Sequence, residues 1–150
     1  MSEYYEITAD KFVFKVLKTL RYTKDEVWVK PEANGCIRVG ITDFVQRRSG
    51  DVVFAEVIPI GTKIEKSGLL GSYETVKVVQ DILSPADGQI TEINPLIYSK
   101  PELINSDPYG KGWIAVIKPE SGLDNLISAE DYFELMKVKI AEELKKLKGL

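Results

Sequence analysis

The sequence predicts a mainly β domain that ends in one helix. Short apolar runs separated by turn residues fill the middle of the chain, and a long amphipathic stretch lies at the C-terminus. The chain has 150 residues, which is the length of one compact domain with its own core. Apolar residues make up 44% and charged residues 29% of the chain, as in ordinary globular proteins. We therefore expect an antiparallel sandwich or a small barrel.

Seven runs rich in β-branched and aromatic residues are the predicted strands. Turn signals lie between them at residues 32–35, 59–61 and 85–88, where Gly, Pro, Asn and Asp gather. The predicted strands are residues 27–30, 36–41, 52–57, 69–74, 78–83, 89–93 and 113–118.

Two helices interrupt or follow these strands. Thr42 before Asp43 is an N-cap signal for a short helix over residues 43–48. Ser128, followed by the acidic residues Glu130 and Asp131, predicts the start of a helix that runs to about Lys148. Its apolar residues recur at three- and four-residue intervals and should pack on the β core: Tyr132, Leu135, Met136, Ile140, Leu144 and Leu147.

Residues 1–21 form an N-terminal extension. Val13, Val16, Leu17 and Leu20 fit helical spacing, so we expect a helix packed on the domain.

The charge distribution excludes several partners. The net charge is −3, with both signs spread along the chain, so no basic field attracts nucleic acid or an acidic membrane. No apolar run is long enough to span a bilayer, and the N-terminus lacks the pattern of a signal peptide. We expect a cytoplasmic protein.

Residue usage also restricts the chemistry. The chain has no His and one Cys, so it lacks the usual general base, an internal disulfide and a Cys pair for metal or redox chemistry. Cys36 is expected to be a small buried apolar residue, and Trp28 and Trp113 are expected in the core. The sequence from Asp107 to Gly110 predicts a type I turn.

One segment carries a more specific signal. The sequence Glu74-Thr75-Val76-Lys77-Val78 is followed by Ser84-Pro85 and Gly88-Gln89-Ile90. It resembles the Glu-Ser-Val-Lys-Ala motif of the H proteins of the glycine cleavage system, which present this lysine at the tip of a β hairpin. Further blocks agree in order over roughly residues 22–132, namely 22–25, 39–43, 50–54, 105–110 and 112–113.

The resemblance implies both a fold and a function. The fold would be the hammerhead β sandwich of biotinyl and lipoyl carriers, with residues 22–127 as the carrier domain and 128–150 as its C-terminal helix. Lys77 would hold lipoate as N6-lipoyllysine, attached by a lipoate ligase or lipoyl transferase, with Glu74 and Thr75 as neighbouring residues of the cofactor site. The protein would be a monomeric, non-catalytic carrier serving glycine decarboxylase, aminomethyltransferase and dihydrolipoamide dehydrogenase.

The chain departs from this family at two cleft positions. The family's His-Glu pair before the tryptophan is Glu26-Val27 here, so Val27 stands where a carboxylate pairs with the ammonium of the loaded arm. Arg48 adds a positive charge at a second cleft position, while Asp81 matches a residue that borders the surface on which the arm rests. We therefore expect the cleft of Val27, Arg48 and Asp81 to hold a methylamine load poorly.

Three functions follow from these observations. The first is the glycine cleavage shuttle, and the second is an H-like lipoate-binding protein that carries sulfur between heterodisulfide-reductase-like subunits, where no ammonium needs a partner. The third is a binding module of the same fold that carries no lipoate or carries biotin. Biotinyl lysines usually lie in a Met-Lys-Met motif, and this chain has Val76-Lys77-Val78.

Overall fold

The computed structural model describes residues 2–147 and is built mainly of β strands. The strands are β1 (Tyr4–Ala9), β2 (Phe12–Leu17), β3 (Arg21–Tyr22), β4 (Val27–Pro31), β5 (Ile37–Ile41), β6 (Val52–Val57), β7 (Lys63–Ile64), β8 (Leu69–Thr75), β9 (Val79–Leu83), β10 (Asp87–Ile93), β11 (Ala115–Ser121) and β12 (Ile127–Ser128). The helices are α1 (Asp43–Ser49), α2 (Leu96–Ser99), α3 (Leu103–Ser106) and α4 (Ala129–Leu147).

Within residues 2–147 these strands form three antiparallel sheets. A seven-stranded sheet has the order β12-β3-β4-β5-β11-β10-β7, a three-stranded sheet has the order β6-β8-β9, and β1 pairs with β2 in a separate hairpin. Apolar side chains from the two larger sheets share one buried cluster, which includes Val39, Leu70, Tyr73 and Ile117. The prediction of a mainly β sandwich with a C-terminal helix is confirmed.

The helix predicted within residues 1–21 is wrong. The chain there forms the β1–β2 hairpin, whose strands pair from Tyr4 with Leu17 to Ala9 with Phe12. Phe14 and Val16 are buried on one face of β2, a spacing of two that belongs to a strand. The spacing of Val13, Val16 and Leu17 fits a helix but is also compatible with a strand. The β-branched and aromatic residues of this segment favour the strand.

The hairpin packs on the rest of the molecule through an aromatic cluster. Phe14 and Val16 join Tyr22, Trp28, Phe44, Tyr132, Met136 and Ile140, which come from β3, β4, α1 and α4. Two polar contacts fix its register against the core: the backbone N–H of Lys15 donates to Asp43 at 2.9 Å, and the Tyr109 hydroxyl donates to the Lys15 carbonyl at 2.6 Å.

Helix α4 begins as the sequence predicts. The Ser128 hydroxyl accepts the backbone N–H of Asp131 at 3.1 Å, which is an N-cap bond. Tyr132, Met136 and Ile140 are buried, but Leu135 is 43% exposed and does not belong to the packed stripe. The predicted end at Lys148 lies outside the described residues.

Several smaller expectations are corrected, and one, the burial of Trp28, is confirmed. Cys36 is half-buried. Its backbone N–H donates to the Ala33 carbonyl oxygen and closes the 3-10 turn Ala33–Gly35, so strand β5 begins one residue later than predicted. Trp113 is also half-buried, with the Arg38 guanidinium 4.3 Å from its ring centroid. Trp28 is buried and donates its indole N–H to the Pro108 carbonyl at 2.9 Å.

None of the helices in residues 2–147 combines the length and the apolar composition needed to cross a bilayer. The same residues contain no group of three or more His, Cys, Asp or Glu side chains placed to hold a metal ion.

Candidate functional site

Lys77 lies at the tip of the hairpin formed by β8 and β9. The backbone N–H of Thr75 donates to the Val78 carbonyl at 2.8 Å, which closes a tight turn around Val76 and Lys77. The hydroxyl oxygen of Thr75 accepts the backbone N–H groups of Lys77 and Val78, both at 3.1 Å. Because Thr75 is buried and Lys77 is exposed, the turn is anchored from inside while the lysine faces solvent.

Among residues 2–147, the amine of Lys77 has one hydrogen-bond partner. Its Nζ donates to the Arg48 carbonyl oxygen at 3.0 Å, at the C-terminal end of α1. Glu74, the other predicted motif residue, is exposed on β8, where it pairs with Phe54 of β6 and with Val79 of β9.

The structure brings Val27, Arg48 and Asp81 together. They line one recess of about 390 Å³ between β4, α1 and β9, together with Asp25 and Gln80. We call this recess the cleft. Lys77 does not line it, although Arg48 stands between the two.

Arg48 differs from its expected role because its charge is paired. Its Nε lies 2.5 Å from an oxygen of Glu143 on α4, and its guanidinium carbon lies 5.4 Å from the Phe44 ring centroid. Val27 is fully buried and contributes only an apolar surface to the cleft. The carboxylates of Asp25 and Asp81 are on exposed residues, so they are the accessible acids at this recess.

Glu26 is a site residue that sequence reasoning missed. Its buried carboxylate accepts the hydroxyls of Thr42, at 2.7 Å, and of Tyr132, and it pairs with Lys139 Nζ at 2.8 Å. Burial, and then the Glu26 charge, raise the pKa of the Tyr132 hydroxyl well above its usual value. The partners lie 16 to 113 residues away along the chain, so no local pattern announces this network.

A second recess adjoins Lys77 on the other side of Arg48. It has a volume of about 420 Å³ and lies between the β1–β2 hairpin and the last turns of α4. We call it the terminal pocket; its walls are Ala9, Asp10, Phe12, Phe14, Arg47, Arg48, Lys77, Ile140, Glu143, Leu144 and Lys146.

A β sandwich that holds one exposed lysine on a locked hairpin turn, beside recesses that a flexible group can enter, is the arrangement of a carrier protein. The chain matches the family model described as glycine cleavage H-protein over residues 20–139. It belongs to the glycine cleavage H-protein family.

Individual relatives agree with this assignment. The glycine cleavage system H protein of Coprothermobacter proteolyticus is 46% identical over 120 residues, covering 79% of this chain and 94% of that protein. A probable H protein of Pyrococcus horikoshii is 40% identical over 127 residues, covering 83% and 94%. The crystal structure of the Mycobacterium marinum H protein has a TM-score of 0.70 at 31% identity, covering 90% of this chain and all of that one.

Family membership confirms two predictions made from the sequence. The resemblance to H proteins is correct, and the family to which the chain belongs consists of non-catalytic carrier components of the glycine cleavage system. The family match ends at residues 20 and 139, so the β1–β2 hairpin and the last turns of α4 lie outside it.

Proposed function

We propose that this protein carries a lipoyl group on Lys77 and uses it to move an aminomethyl group among the glycine cleavage enzymes. Those enzymes are glycine decarboxylase, aminomethyltransferase and dihydrolipoamide dehydrogenase. The observation that carries the proposal is the exposed Lys77 on a turn locked by Thr75. Lipoate supplies a reactive pair of sulfur atoms, which this chain cannot supply because it has one cysteine.

The residues around Lys77 fit a lipoyl attachment site. A ligating enzyme needs an accessible amine on a stable backbone, and the turn gives both. Acylation removes the charge of the amine but leaves one N–H on that nitrogen. The bond from Nζ to the Arg48 carbonyl oxygen is therefore compatible with the modified side chain.

The cleft fits a positively charged amine better than the sequence alone suggests. Asp25 and Asp81 offer carboxylates that can pair with an ammonium, in place of the acid missing at Val27. Glu143 offsets the charge of Arg48, which weakens the repulsion expected there. This pairing removes one of the two arguments for a sulfur cargo, and the relatives are named for glycine cleavage.

The attachment site is tested by Lys77→Arg, which keeps the positive charge but removes the acylatable amine. The variant and the wild type are incubated with lipoate ligase, ATP and lipoate, and their intact masses are compared. We expect one lipoyl group on the wild type, none on Lys77→Arg, and one on the control Lys118→Arg at another exposed lysine. A lipoyl group on Lys77→Arg would refute the assignment.

The pathway is tested separately with the lipoylated wild type. It should support exchange of labelled carbon dioxide into glycine by glycine decarboxylase, and the unmodified protein should not. A lipoylated protein that supports no exchange would refute the glycine cleavage role while leaving Lys77 as the attachment site.

A further inference from the structure

We infer that the terminal pocket is a resting site for the lipoyl arm of Lys77 while the arm carries no charge. This inference rests on the proposed lipoylation of Lys77. It assigns the cleft and the terminal pocket to different states of the same arm.

The surface of the terminal pocket suits an apolar occupant. Phe12 is 46% exposed on the β1–β2 hairpin, and its ring centroid lies 6.2 Å from that of Phe14. Ile140 and Leu144 face them from α4. The volume of about 420 Å³ lies within the range of about 300–1,000 Å³ that small-molecule sites occupy.

The arm is attached at the wall of this pocket. Lys77 lines it, and the Nζ that would become the amide nitrogen already lies 3.0 Å from the Arg48 carbonyl oxygen. A group tethered there has a high effective concentration at the pocket, so a weak intrinsic affinity is enough to fill it.

Charge separates the two recesses. In the terminal pocket Glu143 pairs with Arg48 and Arg47 lies 3.7 Å from Asp43, so Lys146 and Asp10 are the remaining charged side chains of the wall besides Lys77. An ammonium would gain little there because the wall charges balance one another, whereas an uncharged chain bearing a dithiolane needs no charged partner. The cleft suits an ammonium better, because the exposed acids Asp25 and Asp81 line it and its Arg48 is paired with Glu143.

The pocket walls come from both ends of the chain. Its apolar residues precede residue 20 or follow residue 139, so they lie outside the family match, while Lys77 lies inside it. The terminal segments of this chain therefore form a second recess beside Lys77, which itself lies within the part of the chain that matches the family.

The inference is tested on lipoylated protein, with Cys36→Ser in every sample so that the lipoyl group holds the only thiols. Intact mass first establishes that Lys77 is modified. We then expect nuclear Overhauser contacts from the lipoyl methylene protons to the Phe12 ring and the Leu144 methyls. The same contacts should be absent from unmodified protein.

A second measurement is the rate at which iodoacetamide alkylates the reduced dithiol. If the arm spends most of its time in the pocket, Phe12→Ser and Leu144→Ser should each raise this rate about threefold to tenfold, since reactivity follows the exposed fraction. Val138→Ser is the control because Val138 is 57% exposed on another face of α4, and its rate should match the wild type.

Thermal melting of each variant shows whether it is folded, so that a change caused by unfolding is recognised. Modified protein that shows no contacts to Phe12 and Leu144, and equal alkylation rates in all variants, would overturn the inference while the Lys77 assignment stands. Protein that the ligase cannot modify would instead refute the proposed function.

Discussion

At the scale of single residues, Glu26 joins parts of the chain that are far apart in sequence. It lies in the left-handed region, with φ of 67°, immediately before β4, and its carboxylate contacts α1 through Thr42 and α4 through Tyr132 and Lys139. A buried acid is tolerated only when its oxygens are bonded, and here three donors satisfy it. The cleft beside β4 is therefore supported by an acid whose oxygens are already bonded within the protein.

Glu26→Ala should lower the free energy of unfolding by about 2–4 kcal/mol, because the hydroxyls of Thr42 and Tyr132 would lose their buried acceptor. Urea denaturation measures the loss. Lys139→Met is the comparison, and it should cost at most about 1 kcal/mol because the Lys139 side chain is 42% exposed. Equal losses in both variants would mean that the ion pair, and not the hydroxyl network, provides the stability.

Asp81 is the residue through which the cleft is expected to act on cargo. Asp81→Asn removes one carboxylate, and an exposed charge pair contributes about 0.2–1 kcal/mol, so loaded protein should release ammonia up to about fivefold faster. Asp124→Asn, at an exposed acid in the 3-10 turn Leu123–Asn125, is the control and should release it at the wild-type rate. Unchanged release from Asp81→Asn would exclude this carboxylate from cargo binding.

At the scale of elements, α4 packs mainly through one face, beside which Phe133 stacks on Tyr5 of β1. Tyr132, Met136 and Ile140 repeat every four residues and are buried against β1–β3, whereas Leu135 points elsewhere. The helix also brings Glu143 to Arg48 and Leu144 to the terminal pocket, so its packing sets the geometry beside Lys77.

Two neighbouring residues on α4 give a matched test of this packing. Met136→Ala should lower the free energy of unfolding by about 2–5 kcal/mol, because it leaves a cavity in the aromatic cluster. Leu135→Ala should change it by at most about 0.5 kcal/mol, because that side chain is 43% exposed. Chemical denaturation of both variants measures the difference, and similar losses would mean that the helix packs through a broader face.

Most of these elements could be predicted from local sequence signals. The features that could not be predicted depend on contacts between residues that are far apart in the chain. The turn residues and the Thr75-Val76-Lys77 motif lie within a few residues of the structure they specify, so the strands and the Lys77 hairpin could be predicted. The β1–β2 hairpin could not, because the same apolar residues satisfy helical spacing and their partners on α4 lie more than 100 residues away. The terminal pocket lies between the β1–β2 hairpin and α4, so it could not be predicted from the sequence for the same reason.

At the scale of the whole molecule, the side chains of Tyr22, Tyr109 and Tyr132 pack together and connect α4 with the β core. Tyr22 stacks on Tyr132 with ring centroids 4.5 Å apart, and Tyr109 meets Tyr22 edge to face at 6.5 Å. Burial raises the pKa of all three hydroxyls above the usual value of 10.0. Their protonated forms are therefore favoured in the folded state.

This cluster predicts a sharp loss of stability in alkali. Above about pH 10 the unfolded chain releases tyrosine protons that the folded chain retains, so the free energy of unfolding falls by about 1.4 kcal/mol per pH unit for each such tyrosine. Below pH 10 both states hold these protons and the contribution is fully present.

Urea denaturation between about pH 9 and pH 11 measures this slope. Tyr132→Phe should reduce its steepness by about 1.4 kcal/mol per pH unit, while Tyr98→Phe, at a residue that is 49% exposed, should leave it unchanged. A slope that is identical in the wild type and Tyr132→Phe would contradict the role of Tyr132.

The locked turn around Lys77 also limits where an attached group can travel. The Thr75 hydroxyl oxygen accepts the backbone N–H groups of Lys77 and Val78 and so holds the backbone at Lys77 in place. An attached group then moves mainly through the side-chain torsions of Lys77. The accessible region is then a shell about one fixed pivot, and a smaller search volume means more frequent visits to any one target within it. A Thr75→Gly variant would enlarge that volume and lower the effective concentration of an attached group at each recess, even with the recesses themselves unchanged.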